Sequence, residues 1–369
     1  MKVGIITMFY DSANYGGILQ SYAMVRVLQN HNIDAEQICY NTSSLLSLQQ
    51  KLKRRLMQFY KATRSKEYRM VQQRSKRIKA AAMELIPHTN AVYTEQTISE
   101  CVDNYDTFVT GSDQVWHGEW PAYFLSFVPD DKKKIAYAVS AGKSNLSEAD
   151  TEKIKEYAEG FSAVSVREAD FAESLQSAMP EKEIALVLDP TLILSTEEWE
   201  KIASPRRISE KYLFCYFLGR DPRIRKLAAE YASHHSLKVV SIPHMQGRLE
   251  TSDLAFGDVR SYDAVPQDFL SYIKNADIIF TDSFHASVFS QIFQKQYIVF
   301  GRYEHKEMNN RLETLTELFD TQHRFLTEDS QFQLKTLESI TNIDYSRPSE
   351  RFEEAQRKSV SFLLRNLQE

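Results

Sequence analysis

The chain has 369 residues, 43% of them hydrophobic and 26% charged, which is the composition of a folded protein rather than a disordered or fibrous one. Its length exceeds that of an ordinary domain about twofold, so two domains are expected. Lys and Arg number 45 against 50 Asp and Glu, and the resulting net charge of −5 supplies no global field to draw in nucleic acid. Cys39, Cys101 and Cys215 are widely spaced and odd in number, which argues against a disulfide framework or a clustered thiolate metal site. No apolar run reaches the roughly 18 residues that span a bilayer. The opening MKVGIITMFY breaks at Asp11, too soon for a signal peptide, so a soluble, cytoplasmic protein is expected.

In chain order, Val3 to Phe9 is a short β-branched run, followed by a polar loop with Gly16 and Gly17. From Ile18 the period becomes helical, with Leu19, Tyr22, Ala23 and Val27 on one face, which is the opening of a parallel α/β unit. Apolar runs at Thr107 to Thr110, Ile135 to Val139, Ala163 to Val166 and Ile184 to Leu188 read as further strands, each ending on a polar loop. Residues 195–210, with Trp199, Pro205, Arg206 and Arg207, read as a linker. A second α/β pattern restarts at Tyr212 to Leu218. It continues through helix Arg223 to His234, strand Lys238 to Ile242, helix Gln267 to Lys274, strand Asp277 to Thr281, helix Ala286 to Phe293 and strand Gln296 to Phe300. The reading is therefore α/β with two Rossmann-like domains, 1–200 and 208–345, and a C-terminal helix in 346–369.

A segment within 45–86 stands apart from this pattern. Lys51 to Lys79 holds twelve Lys or Arg and a single acidic residue, Glu67, with Leu52, Leu56, Phe59 and Tyr60 on one helical face. It reads as a basic amphipathic helix pair, suited either to an anionic membrane surface or simply to solvent.

Four constellations carry candidate chemistry. Asn14, Tyr15, Gly16 and Gly17 sit at the first strand-to-helix turn, where glycine lets N–H groups approach an anion or merely permits the turn. Asp113, Gln114 and Trp116 follow the strand ending at Thr110; carboxylate and amide can grip sugar hydroxyls and an indole can stack on a sugar face, while Asp113 can equally cap a helix. Arg167, just past Val166, offers a fork for phosphate or carboxylate, or an internal ion pair with Glu168 or Asp170. His285 opens a helix after the strand ending at Thr281, where the dipole favours a neutral imidazole able to carry protons, and Asp282 or Ser283 can cap that helix. No histidine spacing suits a metal, and the pair His234-His235 is expected to face apart on its helix, so no metal is expected.

The motifs NYGG, YDTFVTGSDQVW, AYAVSAG, VSVREADF, VLDPTLIL and NADIIFTDSFHASVFS occur together in an order that resembles the polysaccharide pyruvyl transferase family. That resemblance implies a GT-B-like arrangement with the active site in an interdomain cleft. It also implies transfer of pyruvate from phosphoenolpyruvate onto two sugar hydroxyls, as a cyclic ketal, with release of phosphate and no further cofactor. By the same resemblance, His285 and Asp113 fall on catalytic positions, and Arg167, Ser283, Lys143 and Arg311 on donor-binding ones. The acceptor, a glycan or a lipid-linked sugar, is expected near Asn14, Tyr15, Gly16, Gly17, Gln114 and Trp116. Some members of the family carry arginine where this chain has Ser283, so a second donor cation is expected from Lys143, Arg220, Arg302 or Arg311. Two other readings stand beside this one: a nucleotide-sugar glycosyltransferase using Glu304 or Glu307 for a ribose, and a non-catalytic glycan-binding relative. A lipid-linked acceptor implies peripheral contact with the inner membrane face through 51–79.

Overall fold

The computed structural model describes residues 1–45, 47–117, 120–142, 146–244, 251–302, 309–327, 332–347 and 349–368. The chain divides into two compact units: unit 1 takes Met1–Tyr60, Lys79–Leu194 and Glu353–Glu369, and unit 2 takes Lys61–Ile78 and Ser195–Phe352.

Unit 1 is built on β1 (Lys2–Ile6), α1 (Tyr15–Asn30), β2 (Asp34–Tyr40), α2 (Leu48–Arg64), α3 (Lys66–Leu85), β3 (His88–Tyr93), β4 (Thr107–Thr110), β5 (Lys133–Val139), α4 (Glu148–Ala158), β6 (Ala163–Val166), α5 (Ala169–Ala178) and β7 (Ile184–Leu186), with α2 and α3 running on into unit 2. Its seven strands are parallel in the order β3-β2-β1-β4-β5-β6-β7, with Val3 opposite Thr107 and Ile6 opposite Thr110. All four residues of β4, and all four of β6, are buried. Strands covered on both faces gain nothing from polar alternation, which is why these segments read as unbroken apolar runs.

Unit 2 continues with α6 (Thr196–Ile202), β8 (Tyr212–Tyr216), α7 (Pro222–His234), β9 (Lys238–Ser241), α8 (Thr251–Leu254), β10 (Val259–Arg260), α9 (Pro266–Lys274), β11 (Ile278–Thr281), α10 (Phe284–Ile292), β12 (Tyr297–Phe300), α11 (Asn310–Leu318), β13 (Phe325–Leu326) and α12 (Leu334–Ser339). Its six strands are also parallel, in the order β10-β9-β8-β11-β12-β13. The stretch expected as a linker instead carries α6, whose Trp199 is fully buried with its ring edge-on to Phe289 at 4.8 Å. Asp221 and Pro222 start α7 together, the carboxylate accepting the Arg223 N–H while the proline fills a first-turn position that lacks a partner anyway.

The last helix, α13 (Glu350–Gln368), belongs to unit 1 from Glu353 onward. There Phe362 meets Tyr137 and the Ser359 hydroxyl accepts the Leu188 N–H at 2.8 Å. Of the basic helix pair, Lys61–Ile78 groups with unit 2, where Arg74 is buried and donates to the carbonyls of Ser261 and Pro243 at 3.2 and 2.5 Å.

Candidate functional site

In open parallel sheets, ligands settle outside the carboxyl ends of the strands where the strand order reverses. In unit 1 that point lies between β1 and β4, and the NYGG turn and Asp113 meet there. A methyl group built on Gly17 would stand 3.3 Å from Oδ2 of Asp113, so the glycine is what lets α1 begin this close to the carboxylate. Asp113 holds φ at +76°, a conformation a side chain other than glycine adopts only when its surroundings hold it. The Asp113 carbonyl accepts the N–H groups of Val115 and Ser140 at 2.8 and 3.0 Å.

Other residues of the turn are committed locally. The Asn14 side chain accepts the Gly16 and Gly17 N–H groups at 3.1 and 3.4 Å, so the backbone donors expected to face a ligand are used in capping α1. Tyr15 is buried in the core. Gln114 lies against Gly142, where a methyl group would come within 2.7 Å of its amide nitrogen. Trp116 is 2% exposed, stacked on Phe124 and edge-on to Phe161 and Phe171, which leaves no ring face for a sugar.

Arg167 is enclosed by carboxylates: Nε to Glu168 at 2.9 Å, one terminal nitrogen to Asp189 at 2.9 Å and the other to Asp113 at 3.2 Å. Burial works against its charge, but Glu168, Asp113 and Asp189 more than offset this and hold it protonated well beyond the ordinary arginine range. Asp189 is further fixed by the Thr191 N–H and hydroxyl at 3.0 and 2.7 Å, and by the Ser112 hydroxyl at 3.2 Å. The Asp189 carboxylate is 1% exposed and that of Asp113 is 12%, so Asp113 is the member of this pair that solvent and a ligand can reach. One cation among three anions is a poor anchor for a further anion and a good clamp for Asp113. Asp189, part of the VLDPTLIL motif but given no role from sequence, caps the short 3₁₀ turn Pro190–Leu192 through its Asp-Pro step.

Unit 2 reverses its strand order between β8 and β11, and its candidate residues gather there. Asp282 accepts the N–H groups of Leu218 and Gly219 at 2.6 and 2.7 Å, tying the two strand ends together. Ser283 rather than Asp282 caps α10, accepting the Ala286 N–H at 3.5 Å. His285 lies in the first turn of α10, nearly buried, its ring 5.1 Å from that of Phe284. Arg311 stands 6.0 Å from the same Phe284 ring. Arg302 donates to the Asp282 carbonyl through Nε and a terminal nitrogen at 3.2 and 3.0 Å. Two of the arginines suggested for the missing donor cation thus flank the start of α10. Lys143, Glu304 and Glu307 lie outside the described residues.

A supporting layer in unit 2 left no motif in the sequence. Arg225 is buried on Asp253 at 2.7 and 2.9 Å and donates to the Gly219 and Asp221 carbonyls at 2.9 and 3.1 Å, which shapes the loop beneath Asp282. Asp253 also accepts the His244 N–H at 2.9 Å. Burial holds the His244 imidazole below its usual 6.5, more than Asp282 and Asp253 raise it.

Other reactive groups are arranged as follows. The three cysteines are free and buried, and burial pushes the Cys39 thiol up to about 11 and that of Cys101 to about 12, far from a thiolate at neutral pH. His234 and His235 do not face apart, because His235 is the residue that leaves α7, and their rings lie 5.1 Å from each other. With Glu338 they form, among the described residues, a group of three exposed side chains whose ligand atoms are close enough for one metal ion. No helix among the described residues is long and apolar enough to cross a membrane.

Solved structures with the same fold span the whole chain. The UDP-GlcNAc 2-epimerase of Methanocaldococcus jannaschii is 14% identical, with a TM-score of 0.57 over 100% of this chain and 99% of its own. The same enzyme in complex with UDP-GlcNAc and UDP is 15% identical, with a TM-score of 0.55 over 100% and 99%. The S. aureus MnaA-UDP co-structure is 12% identical, with a TM-score of 0.50 over 100% and 98%. At such identities the likeness speaks to fold alone, and it is to a pair of Rossmann-like units of the GT-B type. No curated protein matches the chain. The family model described as polysaccharide pyruvyl transferase matches residues 14–303, from the NYGG turn beside Asp113, through Arg167, to the strand that follows His285. Sheet order, motif order and family match coincide over most of its length, and the chain belongs to the polysaccharide pyruvyl transferase family.

Proposed function

We propose that this protein is a phosphoenolpyruvate-dependent ketal transferase acting on a sugar of an exopolysaccharide or cell-envelope glycan, or on its lipid-linked precursor. The observation that carries the reading is the family match across 14–303, which includes both switch-point clusters. The reaction adds one sugar hydroxyl to the central carbon of the enol phosphate while its methylene carbon takes a proton. A second hydroxyl then displaces phosphate to close the ketal, its proton leaving with the phosphate.

Asp113 suits the removal of a hydroxyl proton: it is held in place by Arg167, reachable from solvent and crowded by the helix start at Gly17. In this reading Arg167 positions the base, and the donor's charge falls to the start of α10. There Arg302 on the Asp282 carbonyl, Arg311 beside the Phe284 ring and the Ser283-capped helix start would hold the donor, with His285 in the first turn as the proton carrier. Phosphoenolpyruvate carries close to three negative charges, because the second phosphate proton leaves near pH 6. A site with two arginines and a helix start meets that charge, whereas the Arg167 cluster with its three carboxylates does not. A lipid-linked acceptor would bring the enzyme to the inner face of a membrane, where residues 51–79 carry the charge for peripheral contact.

The test is phosphate release from phosphoenolpyruvate with a panel of glycans and lipid-linked sugars, alongside Asp113→Asn and His285→Ala. We expect acceptor-dependent release, lost in both variants while their unfolding transitions stay within about 1 kcal/mol of wild type. Folded protein that never releases phosphate, and that is stabilised by uridine diphosphate but not by phosphoenolpyruvate, would overturn the assignment.

A further inference from the structure

The basic helix pair splits into two unlike halves. In α3, Val71, Arg74, Ile78 and Ala82 are buried, so its apolar face is spent on packing. In α2 the apolar face is open. Five of the eight exposed large hydrophobic residues among those described lie on this one helix: Leu52, Leu56, Met57, Phe59 and Tyr60, with Leu56 62% and Phe59 72% exposed. Isolated exposed apolar residues are normal on a protein surface; five on two adjacent turns and their neighbours are not.

At roughly 100° per residue, Leu52, Leu56, Phe59 and Tyr60 fall within about 100° of arc on α2. Lys51 and Arg55 border that stripe on one side and Lys53 on the other. The helix as a whole has six Lys or Arg and no Asp or Glu, in a chain whose net charge is −5. An apolar stripe with cations along both margins, on a helix about 25 Å long, matches the interface of an anionic bilayer. The rings and methyls enter the acyl boundary while lysine and arginine stems reach back to the phosphates. A nucleic acid would use the charges and leave the leucines and Phe59 in water; an acidic apolar groove of a partner protein would use both features, and direct binding to pure lipid vesicles separates the two.

We propose that α2 is a membrane-docking helix that lies in the plane of an anionic lipid surface, with Leu52, Leu56 and Phe59 inserted and Lys51, Lys53 and Arg55 on the headgroups. α3, buried along its own face, is the anchor that ties it to the folded units. The proposal deepens the lipid-linked acceptor reading, but its test measures binding and does not depend on turnover.

The experiment uses the full chain, sedimented with vesicles of phosphatidylcholine alone or with 30% phosphatidylglycerol, at about 0.15 M salt. Each surface cation contributes roughly fivefold to partitioning, so the triple change Lys51→Gln, Lys53→Gln, Arg55→Gln is expected to weaken binding to anionic vesicles by roughly a hundredfold. Leu56→Ser with Phe59→Ser is expected to weaken it at least tenfold without altering the charge. Phe59→Trp should show blue-shifted emission on binding, quenched by lipids brominated in the acyl chain. Equal binding to neutral vesicles, or binding that survives either set of changes, overturns the proposal. So does absence of vesicle binding accompanied by self-association that Phe59→Ser abolishes, or by retention on duplex DNA. An enzyme that docks this way yet uses a soluble glycan would retire the lipid-linked acceptor and leave the docking helix standing.

Discussion

Replacing Arg167 by methionine removes, among the described residues, the cation that a buried group of three carboxylates shares, while keeping most of the side-chain volume. Breaking a buried ion pair by deleting one partner costs about 3–5 kcal/mol, because the remaining charge is neither paired nor hydrated. The three anions are not equally exposed to that cost. Glu168 and Asp113 have side chains 10% and 12% exposed and can regain water, and Asp189, at 1%, keeps its bonds from Thr191 and Ser112. The lower end, about 3 kcal/mol, is therefore expected, which for a unit of this size lowers Tm by about 6–12 °C. Urea denaturation measures it, and the double change Arg167→Met with Asp189→Asn should recover at least half of the loss, since the two sites share one interaction. The pH dependence has a defined sign. Without the guanidinium, crowding and burial raise the carboxyl pKa values above their unfolded values. The variant is then most stable below the unfolded carboxylate range and loses stability as pH rises, so its deficit against wild type should be smaller at about pH 5 than at about pH 8. A deficit under about 1 kcal/mol, or one that does not change with pH, would refute the view of Arg167 as a clamp on Asp113.

Trp116→Ala should cost about 3–5 kcal/mol by opening a cavity among Phe124, Phe161 and Phe171. Trp116→Phe should cost less and leave the KM for the acceptor unchanged; a raised KM with unchanged stability would return the indole to the binding site. His244 is held below 6.5 by burial, so its neutral form contributes stability that is complete above that value and is lost as pH falls through it. His244→Gln should flatten the stability profile between about pH 5 and pH 6.5, and an unchanged slope there would show that the histidine is not what titrates.

The strands that could be read in advance are those buried on both faces: β4, β5, β6, β8 and β11 appear in the sequence as unbroken apolar runs and are found within a residue or two of those bounds. β2 and β3 were not legible because neither forms an unbroken apolar run. β3 is the edge strand and leaves Asn90, Ala91 and Val92 exposed, while β2, though mostly buried, interrupts its apolar residues with Asp34, Glu36 and Gln37. α6 hid behind Pro205 and the two arginines after it, although a Ser195 cap followed by Glu197 and Glu198 is a helix-start signal. At the site, strand ends and helix starts were readable, which is why Asp113, Arg167 and His285 were singled out. What a side chain meets there was not. Asp189 reaches Arg167 from 22 residues away and Asp253 reaches Arg225 from 28, and no local pattern encodes such partners. Trp116 misled because an indole after a strand has the same appearance whether its ring faces a ligand or three phenylalanines.

The division of the chain bears on how it must be made. Unit 2 closes from Lys61–Ile78 and the continuous stretch Ser195–Phe352, whereas unit 1 needs Glu353–Glu369 beside segments synthesised at the very start. Phe362 on Tyr137, Ser359 on Leu188 and Gln356 on the Leu192 carbonyl are contacts across more than 160 residues. Domains usually complete in the order of their translation. Here the first sheet to emerge waits for α13 while the second unit is finished, and a chain arrested or cleaved near residue 350 would leave Tyr137, Leu188 and Leu192 without these partners. Completion of the N-terminal unit is therefore tied to the last segment of the chain to be synthesised.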